Sequence, residues 1–294
     1  MQVHFSLDHL PAIPSPVVTV GSFDGVHVGH RVIIDRLKVL AREVDGSSVL
    51  ITFFPHPRKV LYPETAGREL RLINSQEEKI RLMEDTGLDH LIIIEFTLDF
   101  ARISSEDFVK HYLVGALKAH TIVVGFNHYF GHKREGSYDS LYKLRVLYGF
   151  EVEEIPEQEI QHETVSSTKI RKALAEGNIQ RANAYLEHHY TMLVHMAPVR
   201  GKTKSLTYAC CKIGQLASEK LIPPTGAYAV SMGSPGGPMK GFVYIGTAER
   251  LFFPLKSGIC SGEFRGELRF HKCISQGEGL DPASFLDAVR ELIY

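Results

Sequence analysis

Val17-Val18-Thr19-Val20-Gly21-Ser22-Phe23-Asp24-Gly25-Val26-His27-Val28-Gly29-His30 is the stretch that decides the fold. Four strand-favouring residues open it, and three glycines follow within nine positions. Beyond it Ile33, Leu37, Leu40 and Val44 recur at spacings of four, three and four, which marks one face of a helix. The order is therefore strand, glycine-rich turn, helix. Such a turn lets backbone approach a phosphate closely, and the helix start offers free N–H groups and a positive dipole end.

His27 and His30 stand where that helix begins. With Gly29 and His30 in the first turn, the two imidazoles converge on one point. A neutral imidazole donates one hydrogen bond and a protonated one donates two, which suits the charge that builds on a phosphate attacked at phosphorus. A metal pair or two surface histidines are the plainer alternatives. The strand before and the helix after favour the phosphate reading.

The pattern Gly21-x-Phe23-Asp24-Gly25-Val26-His27-x-Gly29-His30 resembles the signature of bacterial bifunctional riboflavin kinase/FAD synthetases, within the nucleotidyltransferases that carry His-x-Gly-His. The resemblance implies that His27 and His30 hold ATP phosphates and stabilise the transition state. It places Gly21, Phe23, Asp24, Gly25 and Gly29 around the ATP. Asp24 is read equally as an outer-sphere partner of a magnesium ion or as a turn residue.

The 294 residues suggest one or two domains, and 44% apolar with 23% charged residues is ordinary globular composition. A net charge of −1 gives no reason to expect nucleic acid or an anionic membrane as partner. No run of about 18 apolar residues occurs, so no transmembrane helix is expected. Met1 to Phe5 lacks a basic region followed by an apolar stretch, so a cytoplasmic location is expected. The four cysteines contain no Cys-x-x-Cys and are read as small buried residues with reduced thiols. Oligomeric state has no signal in the sequence.

Strands and helices alternate through residue 155. Ser47 to Phe54 reads as a buried strand running into Pro55-His56-Pro57. Ser75 and Glu78 can form a capping box for a helix that Gly87 stops. Leu91 to Phe96 is a strand, Ser104 or Ser105 caps the next helix, and Thr121 to Val124 is a strand ending at Gly125. A helix over Ser137 to Tyr148 stops at Gly149, and Phe150 to Ile155 is a strand. The alternation predicts an α/β, Rossmann-like domain with a doubly wound parallel sheet. Ligands bind beyond the carboxyl ends of such strands. The Gly21 turn, the Pro55-His56-Pro57 turn and the Gly125 loop all fall on that edge.

After a helical link over Ser167 to His189, short strand-like runs separated by Gly and Pro take over: Ala227 to Met232, Gly241 to Ile245 and Gly266 to Phe270. Ser234 to Pro238 reads as a hairpin or loop and Pro282 to Ile293 as a closing helix. The division is a nucleotidyltransferase domain over 1–187 and a small β-barrel domain over 188–294.

Val165-Ser166-Ser167-Thr168-Lys169-Ile170-Arg171 starts a helix with three hydroxyls and one permanent cation, a good anion site. It matches the family's Ser-Ser-Thr-x-Ile-Arg. The resemblance assigns Ser166, Ser167 and Thr168 to ATP and makes Arg171 neutralise the transition state. Val123 to Gly136 resembles the family's Val-Gly-x-(Asp/Asn)-Phe-x-Phe-Gly-x-x-(Arg)-x-Gly loop. There Asn127 can read an amide edge, Tyr129 and Phe130 join the flavin contacts, and His128 replaces the usual Phe; Phe130 is read equally as core. Phe54-Pro55-His56-Pro57 resembles the family's Phe-x-Pro-His-Pro region and borders the flavin. Arg58 and Lys59 are read as phosphate-orienting or solvated charges. His128 and His132 suggest no metal site, because no third ligand is evident.

The second domain departs from the family. Around Arg200 to Cys211 the kinase's Pro-Thr-Ala-Asn is missing, and Glu263 does not align with the kinase base. Leu221 to Val230 and Gly241 to Gly246 do resemble its strands. The expectation is an FMN adenylyltransferase: FMN and ATP, with Mg²⁺ carried on the nucleotide, give FAD and pyrophosphate, with riboflavin kinase activity lost. A related nucleotidyltransferase with another acceptor, and a non-enzymatic flavin- or nucleotide-binding regulator, are the rival readings.

Overall fold

The computed structural model describes the chain apart from residues 9, 127–128, 157–158, 161–162, 203–206, 234–238, 256–261, 279–284 and 286–294. Asn127, His128, the Ser234 to Pro238 loop and the closing helix expected from Pro282 therefore lie outside, or all but outside, the described residues. The chain divides into two compact units: Met1–Leu70 with Lys79–Val165, and Arg71–Glu78 with Ser166–Tyr294.

The first unit contains strands β1 (Gln2–His4), β2 (Val17–Val20), β3 (Ser48–Phe54), β4 (His90–Glu95), β5 (Thr121–Gly125) and β6 (Glu151–Ile155). They form one sheet in the order β1-β4-β3-β2-β5-β6, with every pair parallel. Successive residues of a strand face opposite sides. Val18, Val49, Ile51 and Ile122 accordingly join one buried cluster, whereas Val17, Leu50, Leu91 and Val123 join clusters on the other side. A sheet covered on both faces has continuously apolar strands. That is why Val17 to Val20 and Leu91 to Ile94 show no alternation.

Helix α1 (Val28–Glu43) buries Ile34, Leu37 and Ala41. The expected face through Ile33, Leu40 and Val44 is only partly buried, against Val17, Leu37 and Val123. The stripe on a helix lying across a sheet is wide, and its centre falls one residue on. Helix α2 (Pro57–Leu61) is capped by His56, whose Nδ1 accepts from Arg58 N at 3.2 Å. The expected capping box opens α3 (Gln76–Glu84): Ser75 N donates to Glu78 Oε2 at 2.8 Å, and Glu78 N donates to Ser75 Oγ at 3.2 Å.

Ser104 caps α4 (Ser105–Asp107), which continues as a π-helix over Phe108–Ala116. Nothing in the residue pattern marks that change of pitch. Helix α5 (Tyr138–Tyr148) has Ser137 as its cap and ends at Gly149, where φ is +74°.

The second unit follows a short hairpin, β7 (Glu159–Ile160) with β8 (Glu163–Thr164). Helices α6 (Ser167–Ala175) and α7 (Ile179–Leu186) precede six strands: β9 (Tyr190–Lys202), β10 (Thr207–Ile213), β11 (Gly226–Met232), β12 (Met239–Ile245), β13 (Arg250–Pro254) and β14 (Phe264–Gln276). These form a closed antiparallel barrel, ordered β10-β13-β12-β11-β14-β9. Ala227, Ala229, Phe242, Tyr244, Leu251 and Phe253 form one buried apolar cluster on its strands, with the Phe242 and Phe253 rings stacked 4.4 Å apart.

A buried ion pair lies in this unit. Lys220 Nζ donates to Glu78 Oε2 at 2.6 Å, to Ile73 O at 2.6 Å and to Thr191 O at 2.7 Å. Glu78 Oε1 accepts from Leu193 N at 2.8 Å. The three ammonium protons and both carboxylate oxygens are thus satisfied.

The cysteines depart from expectation. Cys210 and Cys273 are free, but Cys211 is disulfide-bonded, which corrects the reading of reduced thiols throughout. Neighbours in a strand face opposite ways, so adjacent cysteines need not share a fate. Burial pushes the Cys210 thiol up to about 11.

Candidate active site

In the six-stranded sheet, β2 pairs with β3 on one side and β5 on the other, and the chain winds outward in both directions. The strand order therefore reverses at β2 and β5. A crevice opens beyond the carboxyl ends of strands at such a point. A cavity of about 960 Å³ lies there, lined by Val20, Gly21, Gly125 and Phe126 from the ends of β2 and β5. That is at the large end for small-molecule sites.

The glycine turn forms one side. Phe23, Gly25 and Val26 all have positive φ, at +46°, +96° and +44°. Glycine adopts this region freely and valine does so only under constraint. A Cβ at Gly21 would meet the Phe23 ring at 2.8 Å. The turn delivers His27 as the N-cap of α1, with His30 in its first turn. Their rings stack with centroids 3.6 Å apart and planes 16° from parallel, and Phe23 packs on His30 at 4.7 Å.

Burial is the main cause holding the His30 imidazole well below the ordinary histidine range, with the charges of His27 and Lys79 adding to it. His30 is therefore neutral at pH 7, with one N–H to donate. Its Nδ1 is buried with no hydrogen-bond partner among the described residues. That nitrogen has capacity the protein does not use.

The opposite side is aromatic and cationic. Phe53, Phe96, Phe100, Phe108 and Phe130 line the cavity and pack edge-to-face or tilted, with centroids 5.4 to 6.2 Å apart. Phe130 thus serves both core and cavity. Leu61, Tyr62 and Tyr129 add exposed apolar area at the rim. Arg58, Arg102, Lys133 and Arg134 also line it, and the Arg134 guanidinium lies 4.9 Å over the Tyr129 ring.

The loop bearing Lys133 and Arg134 is pinned at both ends. Phe130 and Gly136 exchange backbone hydrogen bonds at 3.1 and 2.9 Å, and Glu135 Oε1 accepts from Ser105 N at 2.8 Å.

Of the residues singled out from sequence, Gly21, Phe23, His27, Gly29, His30, His56, Pro57, Tyr129 and Phe130 line this one cavity. Asp24 is buried within the turn, and Phe54 and Pro55 are not in the lining. Ser166 caps α6, accepting from Lys169 N at 3.4 Å, with Ser167, Thr168 and Arg171 in the first turns. These four belong to the second unit.

His132 Nδ1 is engaged with Ala101 O at 3.1 Å. Among the described residues no group of three His, Cys, Asp or Glu side chains is placed to hold a metal ion. No helix among them is long and apolar enough to cross a membrane.

Lys133 and Arg134 belong to the loop matched from sequence, with Arg134 at the family's Arg position, but were given no role there. Sequence reasoning passed over Lys79, whose burial has no sequence signal.

The FAD synthetase family matches residues 11–169, more than half of the chain. The chain belongs to the FAD synthetase family. A bifunctional riboflavin kinase/FMN adenylyltransferase of Listeria monocytogenes is 33% identical over 233 residues, covering 78% of this chain and 72% of that one. The Bacillus subtilis protein of the same description is 32% identical over 234 residues, with 78% and 71% covered. Among solved structures, one described as a macrolide-efflux protein from Streptococcus pneumoniae superposes with a TM-score of 0.80 at 21% identity, covering 99% of this chain and 95% of that one. At that identity the likeness speaks for the fold alone. FAD synthetases take FMN as substrate and give FAD, and the glycine turn, the histidine pair and the aromatic wall all fall within the matched residues.

Proposed function

We propose that this FAD synthetase transfers AMP from ATP to FMN, with His27, His30 and Arg171 as its catalytic residues. The observation that carries the reading is the stacked His27–His30 pair at the head of α1, at the switch-point cavity with the aromatic wall. A phosphate oxygen of FMN attacks the α-phosphorus of ATP. The new P–O bond forms as the bond to the β-phosphate oxygen breaks, and pyrophosphate leaves with the electron pair. The attacking oxygen is anionic at neutral pH, so no general base is needed. Catalysis is alignment and charge stabilisation.

His30 acts as a neutral donor to the α-phosphate, with His27 beside it. The backbone of Gly21, Phe23, Asp24, Gly25 and Gly29 holds the phosphate chain, and the family motif assigns Ser166, Ser167 and Thr168 to ATP. Mg²⁺ enters with ATP as part of the substrate. The isoalloxazine ring takes the apolar wall near His56, Pro57, Tyr129 and Phe130. Asn127 completes this set on the strength of the motif alone, as does the Phe54-Pro55 edge.

The reading is tested by incubating the purified protein with ATP, Mg²⁺ and either FMN or riboflavin and separating the flavins. FAD from FMN is expected. Absence of FAD at any enzyme concentration overturns the proposal.

Arg171→Lys keeps the charge and loses the planar fork. A clear fall in kcat is expected in steady-state assays, and equal activity would reduce Arg171 to diffuse charge.

For function, 1–187 is the adenylyltransferase part and 188–294 the kinase-like barrel. Kinase chemistry needs a held Mg-ATP and a group to take the hydroxyl proton. The barrel has the strands around Pro224, Gly226, Tyr228 and Gly246 but lacks Pro-Thr-Ala-Asn in sequence. Riboflavin with MgATP is expected to give no FMN, and its formation would sink this part of the proposal.

A further inference from the structure

Lys79 is buried on α3, outside the cavity lining, and no step above uses it. Its Nζ donates to Ser22 O at 2.9 Å and approaches Thr52 Oγ1 at 3.4 Å. Thr52 Oγ1 also donates to Ser22 O at 3.2 Å. The carbonyl that opens the phosphate turn is therefore held twice.

The turn needs holding. Phe23 at φ +46° and Val26 at φ +44° are left-handed without being glycine. Each such residue costs about 1–3 kcal/mol and persists only where its surroundings over-determine it. Fixing the Ser22 carbonyl also fixes the Phe23 N–H, since the two lie in one planar trans peptide and point opposite ways.

We propose that Lys79 is a positioning residue for adenylyl transfer: its ammonium anchors the phosphate turn through the Ser22 carbonyl. This rests on the adenylyltransferase reading of the same site. The groups facing His30 are His27, Phe23 and Lys79, and Asp24 faces Lys79 from the turn. Burial is the main force pushing the Lys79 ammonium down to about 8, with Asp24 opposing. At pH 7 it remains mostly protonated and repels a proton on His30. The arrangement holds a cation against the turn and adds to the burial that keeps the His30 imidazole low.

The test compares Lys79→Met, of similar length without charge or donor, with Thr52→Val, which removes only the second donor. Histidine titration by NMR is followed on ligand-free protein, and kcat and KM are measured with FMN and MgATP. Lys79→Met is expected to raise the His30 midpoint and to lower kcat about ten-fold or more, the scale of one hydrogen bond from a charged group. KM for FMN should change less than about two-fold, because the aromatic wall is untouched. Thr52→Val should lower kcat less and leave the His30 midpoint in place. Wild-type kcat in both variants overturns the proposal. If Lys79→Met does not fold, Thr52→Val with unchanged kcat overturns the anchoring role. Wild-type protein that makes no FAD would instead defeat the adenylyltransferase reading.

Discussion

His27→Ala and His30→Ala each lower FAD formation by at least two orders of magnitude, the scale of removing one donor from a developing oxyanion. The two rings stack at 3.6 Å at the head of α1, so they act on one point and their losses should not add. The double variant is expected to be little slower than the slower single one. Folding should be nearly unaffected, because the core of α1 is Ile34, Leu37 and Ala41. Steady-state rates paired with thermal melts check both statements. Near-normal turnover in the double variant would remove the histidines from the mechanism.

The second large effect concerns stability. Lys220→Met leaves the Glu78 carboxylate buried with its main partner gone. Breaking a buried pair this way costs about 3–5 kcal/mol, whereas replacing both members by neutral groups is often close to neutral. The variant should unfold at clearly lower urea concentration, and Lys220→Met with Glu78→Gln should recover part of the loss. The chain has two units, so calorimetry must first assign the transition that moves. A single variant as stable as wild type would mean that water reaches Glu78.

Much of the first unit was legible because local rules and tertiary packing agree there. The run from Val17 to His30 specified strand, turn and helix, and Ser75-Glu78, Ser137 and Gly149 marked real boundaries. The same Glu78 shows the limit. Its capping role could be read from three residues, but its pairing with Lys220, 142 positions away, could not. β1 was missed because three residues carry no usable period.

Of the two thirteen-residue strands, β14 was read only as Gly266 to Phe270, and β9, punctuated by Pro198 and Gly201, was not read as a strand. A closed barrel tolerates such residues at bends and bulges. In the site, the histidines stood out by spacing. Lys79 did not, since nothing in Glu-Lys-Ile distinguishes a buried lysine from a solvated one.

The barrel closes by pairing its first strand with its last, Tyr190 against Phe270 and Met196 against Phe264. During synthesis this sets an order of events. All six strands of the parallel sheet have been made once Ile155 is complete, long before the barrel's closing strand exists. Until β14 is made, β9 and β11 keep unpaired edges, the kind of surface through which nascent chains associate wrongly. Non-local closure of this kind is also slow. Glu78 must wait longer than its neighbours, because its cation arrives only with Lys220.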